Sequence, residues 1–216
     1  MRGFFVTFEG IDGSGKSTQA AMLADWLKAD GVQVVHTREP GGSPLGHVVR
    51  HVFLHRPEFE LQVETEVLLM GADRAEHVAR VIRPALERGQ TVLCERYIDS
   101  TTAYQGYGSG CGEELLRHIR TINAFATGGL EPDVTFLLDI DPQVAASRRT
   151  GAADRVEAKG LAYQRRVREG YLHLARAFPQ RIVLLNGAAP PDQLHRQIVE
   201  RFLAMRERRA EERNAR

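Results

Sequence analysis

The 216-residue sequence predicts an α/β fold, a five-stranded parallel sheet flanked by helices. Two observations carry that expectation. Five short β-prone runs alternate with segments whose apolar residues recur at helical spacing, the order that builds a parallel sheet covered on both faces. The first of these runs, Phe4 to Phe8, passes through a glycine-rich turn directly into a helix. No composition break marks a linker, so a single domain over 1–216 is expected.

In order along the chain, the first helix spans Ser17 to Asp30, with Met22, Leu23, Trp26 and Leu27 at helical spacing and Gly31 closing it. Val32 to Thr37 is the second strand, Leu45 to Leu54 a short helix, and Glu64 to Arg88 a long helix with Pro84 near its end. Thr91 to Glu95 is the third strand. Glu113 to Phe125 puts Leu115, Leu116, Ile119 and Ile122 on one helix face before Gly128-Gly129. Val134 to Asp139 is the fourth strand, and Asp141-Pro142 opens a helix with proline at its first position. A helix from Leu161 to Phe178, a strand from Ile182 to Leu185 and a helix from Pro191 to about Arg208 complete the order.

Three segments fall outside this pattern. Thr150 to Gly160 is polar and charged and reads as a mobile insertion. Gly106 to Gly112 has alternating glycines but does not directly follow a strand, so it fails the dinucleotide fingerprint and reads as a flexible loop. The charged extension from about 206 to 216 reads as a frayed helical end with no assigned role.

Composition excludes several functions. With 29 basic against 28 acidic residues, the net charge of +1 lacks the basic surplus of a protein that coats nucleic acid. No stretch approaches the 18 or so apolar residues of a membrane span, so no membrane partner is expected. Glu9 arrives too soon for a signal-peptide core, and a cytoplasmic location is expected. Cys94 and Cys111 have neither CxxC nor zinc-finger spacing and read as small buried or loop residues.

The chemistry concentrates in Gly10-Ile11-Asp12-Gly13-Ser14-Gly15-Lys16-Ser17-Thr18, which satisfies G-x-x-x-x-G-K-[ST] between a strand and a helix. Backbone N–H groups of such a loop converge on phosphate oxygens, and the helix N-terminus adds partial positive charge. Lys16 reaches the β- and γ-phosphates, and the Ser17 hydroxyl ligates Mg²⁺ directly or through water. A nucleoside triphosphate with Mg²⁺ follows, but the loop by itself does not say where the γ-phosphate goes.

Further segments narrow this reading. Thr37-Arg38-Glu39-Pro40-Gly41-Gly42-Ser43-Pro44-Leu45-Gly46, Cys94-Glu95-Arg96-Tyr97-Ile98-Asp99-Ser100 with Ala103-Tyr104-Gln105-Gly106, and Asp154-Arg155-Val156-Glu157 together resemble the bacterial thymidylate kinase family from about Phe4 to the last strand. The resemblance implies a P-loop nucleoside monophosphate kinase fold with a lid at about 148–160. It implies transfer of the γ-phosphoryl group of ATP to dTMP, giving dTDP and ADP, with Mg²⁺ and a homodimer.

It also implies roles. Arg96 and Arg38 bind the acceptor monophosphate, although Arg96 next to Glu95 and Asp99 also suits a strand-end salt bridge. Arg74 hydrogen-bonds the thymine base. Met70, one turn earlier, stands where the family usually has an aromatic that stacks on the ring, and a thioether covers a ring face more flexibly. Thr101 and Tyr104 contact the thymine edge and deoxyribose, with Tyr104 crowding out a ribose 2′ hydroxyl. Gln105 shapes the base site, and loop capping serves equally for Thr101 and Gln105.

Asp12 and Glu95 orient the acceptor phosphate, its arginines or hydrated Mg²⁺. Because Asp12 stands where some family members place an arginine, the missing cation is assigned to the lid residue Arg149, with Arg148 against adenine. Asp154 and Glu157 match lid acids near the acceptor nucleoside and the metal, and Glu39-Pro40 matches a cis peptide. Two other readings stay open: a kinase for another small acceptor, and a nucleotide switch or ATPase that uses Asp139 at the end of the fourth strand.

Overall fold

The computed structural model describes residues 2–56, 58–148 and 154–214. Five parallel strands, β1 (Phe5–Glu9), β2 (Val34–Arg38), β3 (Thr91–Glu95), β4 (Val134–Asp139) and β5 (Ile182–Asn186), form one sheet in the order β2-β3-β1-β4-β5. The helices among and after them are α1 (Lys16–Ala29), α2 (Pro44–His55), α3 (Val63–His77), α4 (Arg83–Glu87), α5 (Ile98–Thr101), α6 (Gly112–Thr127), α7 (Pro142–Ser147), α8 (Gly160–Ala177) and α9 (Pro191–Asn214). The expected α/β architecture is present, and the strand limits agree with the sequence to within two residues. Among the described residues no helix is long and apolar enough to cross a membrane.

The pleat divides the central strand between two functions. Val6 and Phe8 join Leu23, Leu27, Phe136, Ile198 and Phe202 in the core beneath α1 and α9. The alternate positions of β1 face the other way: Phe5 packs with Val92, Ile82 and Tyr97, and Glu9 is buried beside Tyr171 of α8. β1 passes its chain to one side of the sheet and β4 to the other, so the carboxyl ends of these strands form the crevice where such sheets bind ligands. The register sets Arg38 opposite Glu95, and Phe8 opposite Glu95 as well.

Three expectations need correction. The run Glu64 to Arg88 is helical but not uniformly α: Val78–Ile82 is a π turn between α3 and α4, with Pro84 at the start of α4. Pro84 has no N–H to bond back to the preceding turn, which loosens the ladder there. Gly106 to Gly112 is not a loop throughout, because Thr102–Gly108 is a π-helical segment continuing α5. Gly106 is required by packing, since a Cβ there would stand 2.5 Å from Leu116 Cδ2. The charged tail is not frayed at Arg206 but stays helical to Asn214. Arg209 donates to Gly3 O and Asp133 Oδ2, both at 3.0 Å, which ties α9 to the start of β1.

Asp139, the acid that the switch or ATPase reading uses, is held in an ion pair. The cap of α7 is Asp141, whose carboxylate accepts the Gln143 N–H at 2.8 Å. Asp139 instead accepts two bonds from Arg168, at 2.6 and 2.8 Å, pinning α8 to β4. Both cysteines are free, Cys94 buried in β3 and Cys111 exposed before α6.

Candidate active site

The loop between β1 and α1 holds Gly10, Gly13 and Gly15 at φ of 135°, 86° and 96°, the left-handed region that glycine tolerates. A Cβ on Gly13 would stand 2.4 Å from the Ala145 carbonyl oxygen. The N-terminus of α1 has no side-chain cap, so its N–H groups remain available to an anion. Lys16, 7% exposed, donates from Nζ to Gly10 O at 3.0 Å and Ile11 O at 2.8 Å. Burial, reinforced by the Arg96 charge and opposed by Asp12, Glu9 and Glu95, pushes its ammonium down to about 7.

This loop forms one wall of a cavity of about 630 Å³, bounded by residues 12–18 and by Arg38, Arg50, Glu95, Arg96 and Arg148. Gly10 and Ile11 lie off that wall and serve through their carbonyls on Lys16. Arg148 is held by Gly187 O at 2.8 Å. A second, narrow slot of about 100 Å³ is bounded by Met70, Arg74, Thr101, Tyr104, Gln105, Phe53, Asp154 and Val156. Asp12, Glu39, Arg50 and Arg96 line both.

Arg96 is the hinge of this arrangement. It is a non-glycine residue at φ 69°, strain of the kind that concentrates at functional sites. The turn is fixed from below, where Glu9 Oε1 accepts the Tyr97 N–H at 2.7 Å and Phe8 O accepts the Arg96 N–H at 2.9 Å. The Arg96 guanidinium donates to Asp12 Oδ1 at 2.5 Å, Tyr104 OH at 3.0 Å and Tyr171 OH at 3.3 Å, and its Cζ stands 4.8 Å over the Tyr104 ring. Burial would raise the Asp12 carboxyl, but the Arg96 and Lys16 charges outweigh it and hold the group well below the usual carboxylate range.

Glu95 gathers the other polar groups of the crevice. It accepts from the Ser17 hydroxyl, from Arg38 Nη2 at 3.1 Å and contacts His36 Nε2 at 3.1 Å. Burial pushes its carboxyl up, yet the His36 and Ser17 hydrogen bonds and the Arg38 charge bring it to about 2. Ser17 and Glu95 are hard oxygen donors of the kind Mg²⁺ takes. Among the described residues no three metal-ligating side chains cluster, so a divalent ion here would draw its remaining ligands from phosphate and water.

In the slot, Arg74 is 2% exposed and donates to Glu39 Oε2 at 2.9 Å, Asn123 Oδ1 at 2.5 Å, Tyr97 O at 3.0 Å and Thr101 Oγ1 at 3.1 Å. The Glu39-Pro40 peptide is cis. Asp154 Oδ1 accepts the Val156 and Glu157 N–H groups, each at 2.9 Å, shaping the turn beside the slot. Of the residues expected in one site, Arg38 lines the larger cavity and not the slot, and Glu157 lines neither. Arg149 lies outside the described residues.

Sequence reasoning missed Arg50, which lines both cavities and donates to Pro40 O at 3.1 Å. The signal was there: Arg50, Phe53 and Leu54 stand at i, i+3 and i+4 on α2, and all three line the slot. It also missed Glu9 and Tyr171, joined at 2.7 Å beneath Arg96, whose 162-residue separation gives no local cue.

Comparison with known proteins bears on this geometry. The family profile described as thymidylate kinase matches residues 8–198. The chain belongs to the thymidylate kinase family. It is similar to the thymidylate kinase of Symbiobacterium thermophilum, 46% identical over 95% of this chain and 97% of the relative. It is also similar to that of Deinococcus radiodurans, 50% identical over 91% and 95%. A crystal structure of thymidylate kinase from Ehrlichia chaffeensis superposes with a TM-score of 0.74 at 33% identity, over 94% of this chain and 99% of that one. The sheet and its helices are thus those of a P-loop nucleoside monophosphate kinase. The reaction of this thymidylate kinase family member is the ATP-dependent phosphorylation of dTMP to dTDP.

Proposed function

We propose that the larger cavity takes ATP and the slot takes dTMP, with their phosphates meeting at Arg96. The observation that supports this most is that Asp12, Arg50 and Arg96 line both cavities, so reacting groups placed from either side come together at one cluster of cations. A dTMP phosphate oxygen forms the new bond to the γ-phosphorus while the bond to the ADP oxygen breaks. Such a transfer needs alignment and positive charge more than covalent help. Lys16 and the α1 N-terminus hold the donor phosphates, Arg148 lies toward adenine, and Arg38, Arg50 and Arg96 hold the acceptor phosphate.

Asp12 keeps Arg96 in place. Met70 covers the thymine ring, Arg74 donates to it, and the Tyr104 ring crowds a 2′ hydroxyl. Ser17 and Glu95 would hold Mg²⁺, without Glu157, which lines neither cavity. The ion supplies charge neutralisation across the phosphates. Arg149 adds a further cation; Arg149→Ala is expected to cut kcat strongly with dTMP affinity nearly intact.

Leu68 of α3 and Phe125 of α6, 61% and 88% exposed on a packed helix pair, are apolar surface suited to a second copy of the chain in a homodimer. A cytoplasmic location fits the substrates. The test is ADP release from Mg-ATP with dTMP, dUMP, dCMP, dGMP, AMP, UMP or thymidine offered singly. Release is expected to require an acceptor and to be fastest with dTMP. Acceptor-independent release would favour an ATPase, and preference for thymidine would make the slot a nucleoside site.

A further inference from the structure

Glu66 has no part in the site as described, yet it is 2% exposed and lies on α3 one turn before Met70 and two before Arg74. Its two oxygens serve different partners. Oε2 accepts from Gln105 Nε2 at 3.0 Å. Oε1 accepts from Lys159 Nζ at 2.9 Å and Arg155 Nη2 at 3.3 Å. Arg155 is itself held by a bond from Nε to Phe53 O at 2.9 Å and by stacking 4.6 Å over the Phe53 ring.

A carboxylate accepts and does not donate, so Gln105 must offer Glu66 its NH₂ group. Its carbonyl oxygen then bonds no described residue, on a side chain that lines the slot beside Arg74 and Thr101. With Arg155 and Lys159 balancing Oε1, no other described residue donates to Oε2 in competition with Gln105. Unclamped, an amide could present either end, and the slot would hold a donor as readily as an acceptor.

We propose that Glu66 is a positioning residue for base selection: by clamping the Gln105 NH₂ it makes the Gln105 carbonyl the acceptor in the slot. That acceptor matches a pyrimidine carrying a ring N–H, as thymine does, and opposes one with a bare ring nitrogen, as cytosine has. The inference rests on the reading that the acceptor base occupies the slot.

The test is kcat/KM for dTMP and for dCMP in the wild type, Glu66→Gln, Gln105→Ala and the double variant. Glu66→Gln can donate as well as accept, so it frees the Gln105 amide to turn. The dTMP to dCMP ratio is expected to fall about tenfold or more, through KM for dTMP, with KM for ATP unchanged. The double variant is expected to be no worse in ratio than Gln105→Ala, because the two residues act in series. A Glu66→Gln protein that loses stability and both activities in proportion, keeping the ratio, overturns the inference. So does an unchanged ratio in Gln105→Ala, which stands if Glu66→Gln does not fold. Met70→Ala separates the underlying reading: an unchanged KM for dTMP there means the base is not in the slot.

Discussion

The two cavities are built by opposite means. The larger is built around one continuous segment, residues 12–18, which brings a glycine-rich turn and the N-terminus of α1 to its wall. The slot is made from side chains of α2, α3, the α5 and π segment and the turn at Asp154, brought together only by the fold. The difference teaches where specificity resides. A backbone cradle recognises phosphate whatever base it carries, whereas a slot of buried, mutually bonded side chains discriminates among bases. Arg96 lines both, at the point where the two meet.

Breaking the shared point should cost most. Arg96→Ala is expected to lower kcat/KM by about 10³ or more, on the order of 4 kcal/mol of transition-state stabilisation. Steady-state ADP release measures it, and a loss below tenfold would detach Arg96 from the chemistry.

The larger cavity alone should be sensitive to pH. Lys16 is charged only when protonated, and its group lies at about 7. The protonated fraction therefore falls with rising pH above that value. kcat/KM for ATP reports the free enzyme and is expected to fall up to tenfold per unit above about pH 7, while kcat stays flatter because bound phosphates restore the proton. A pH profile of both constants checks this, and Lys16→Met should abolish the limb.

The slot alone should respond to its ring cover. Met70→Ala is expected to raise KM for dTMP about tenfold with KM for ATP unchanged, and Met70→Phe to lower it a few fold. The smallest effect is expected away from both cavities. Asp139→Asn weakens a half-exposed ion pair, so kcat should stay within about threefold and thermal unfolding should shift slightly. Loss of activity there would revive the ATPase reading.

The same contrast explains what was legible in the sequence. The phosphate loop could be read outright because its glycines, Lys16 and Ser17 are contiguous and flanked by a strand and a helix. All five strands were legible for a similar reason, each being a short apolar run ending at a turn. The slot was legible only through resemblance, since nothing in the spacing of Met70, Thr101 and Asp154 says that they touch. Arg50 escaped because an arginine on an amphipathic helix looks like a solvated charge until the facing wall is known. Gly106 to Gly108 misled because alternating glycines signal freedom locally, while here they admit Leu116 and Tyr163 at close range. The tail misled because charge alone does not show that Arg209 has Asp133 waiting for it.

The central claim is that two separate nucleotide sites join at Arg96. A compound of adenosine and thymidine linked by a polyphosphate bridge tests it most directly, by calorimetry and by inhibition against each substrate. One molecule is expected to bind per chain, more tightly than ATP or dTMP alone, and to compete with both. Competition with only one substrate, or two molecules bound per chain, would contradict it.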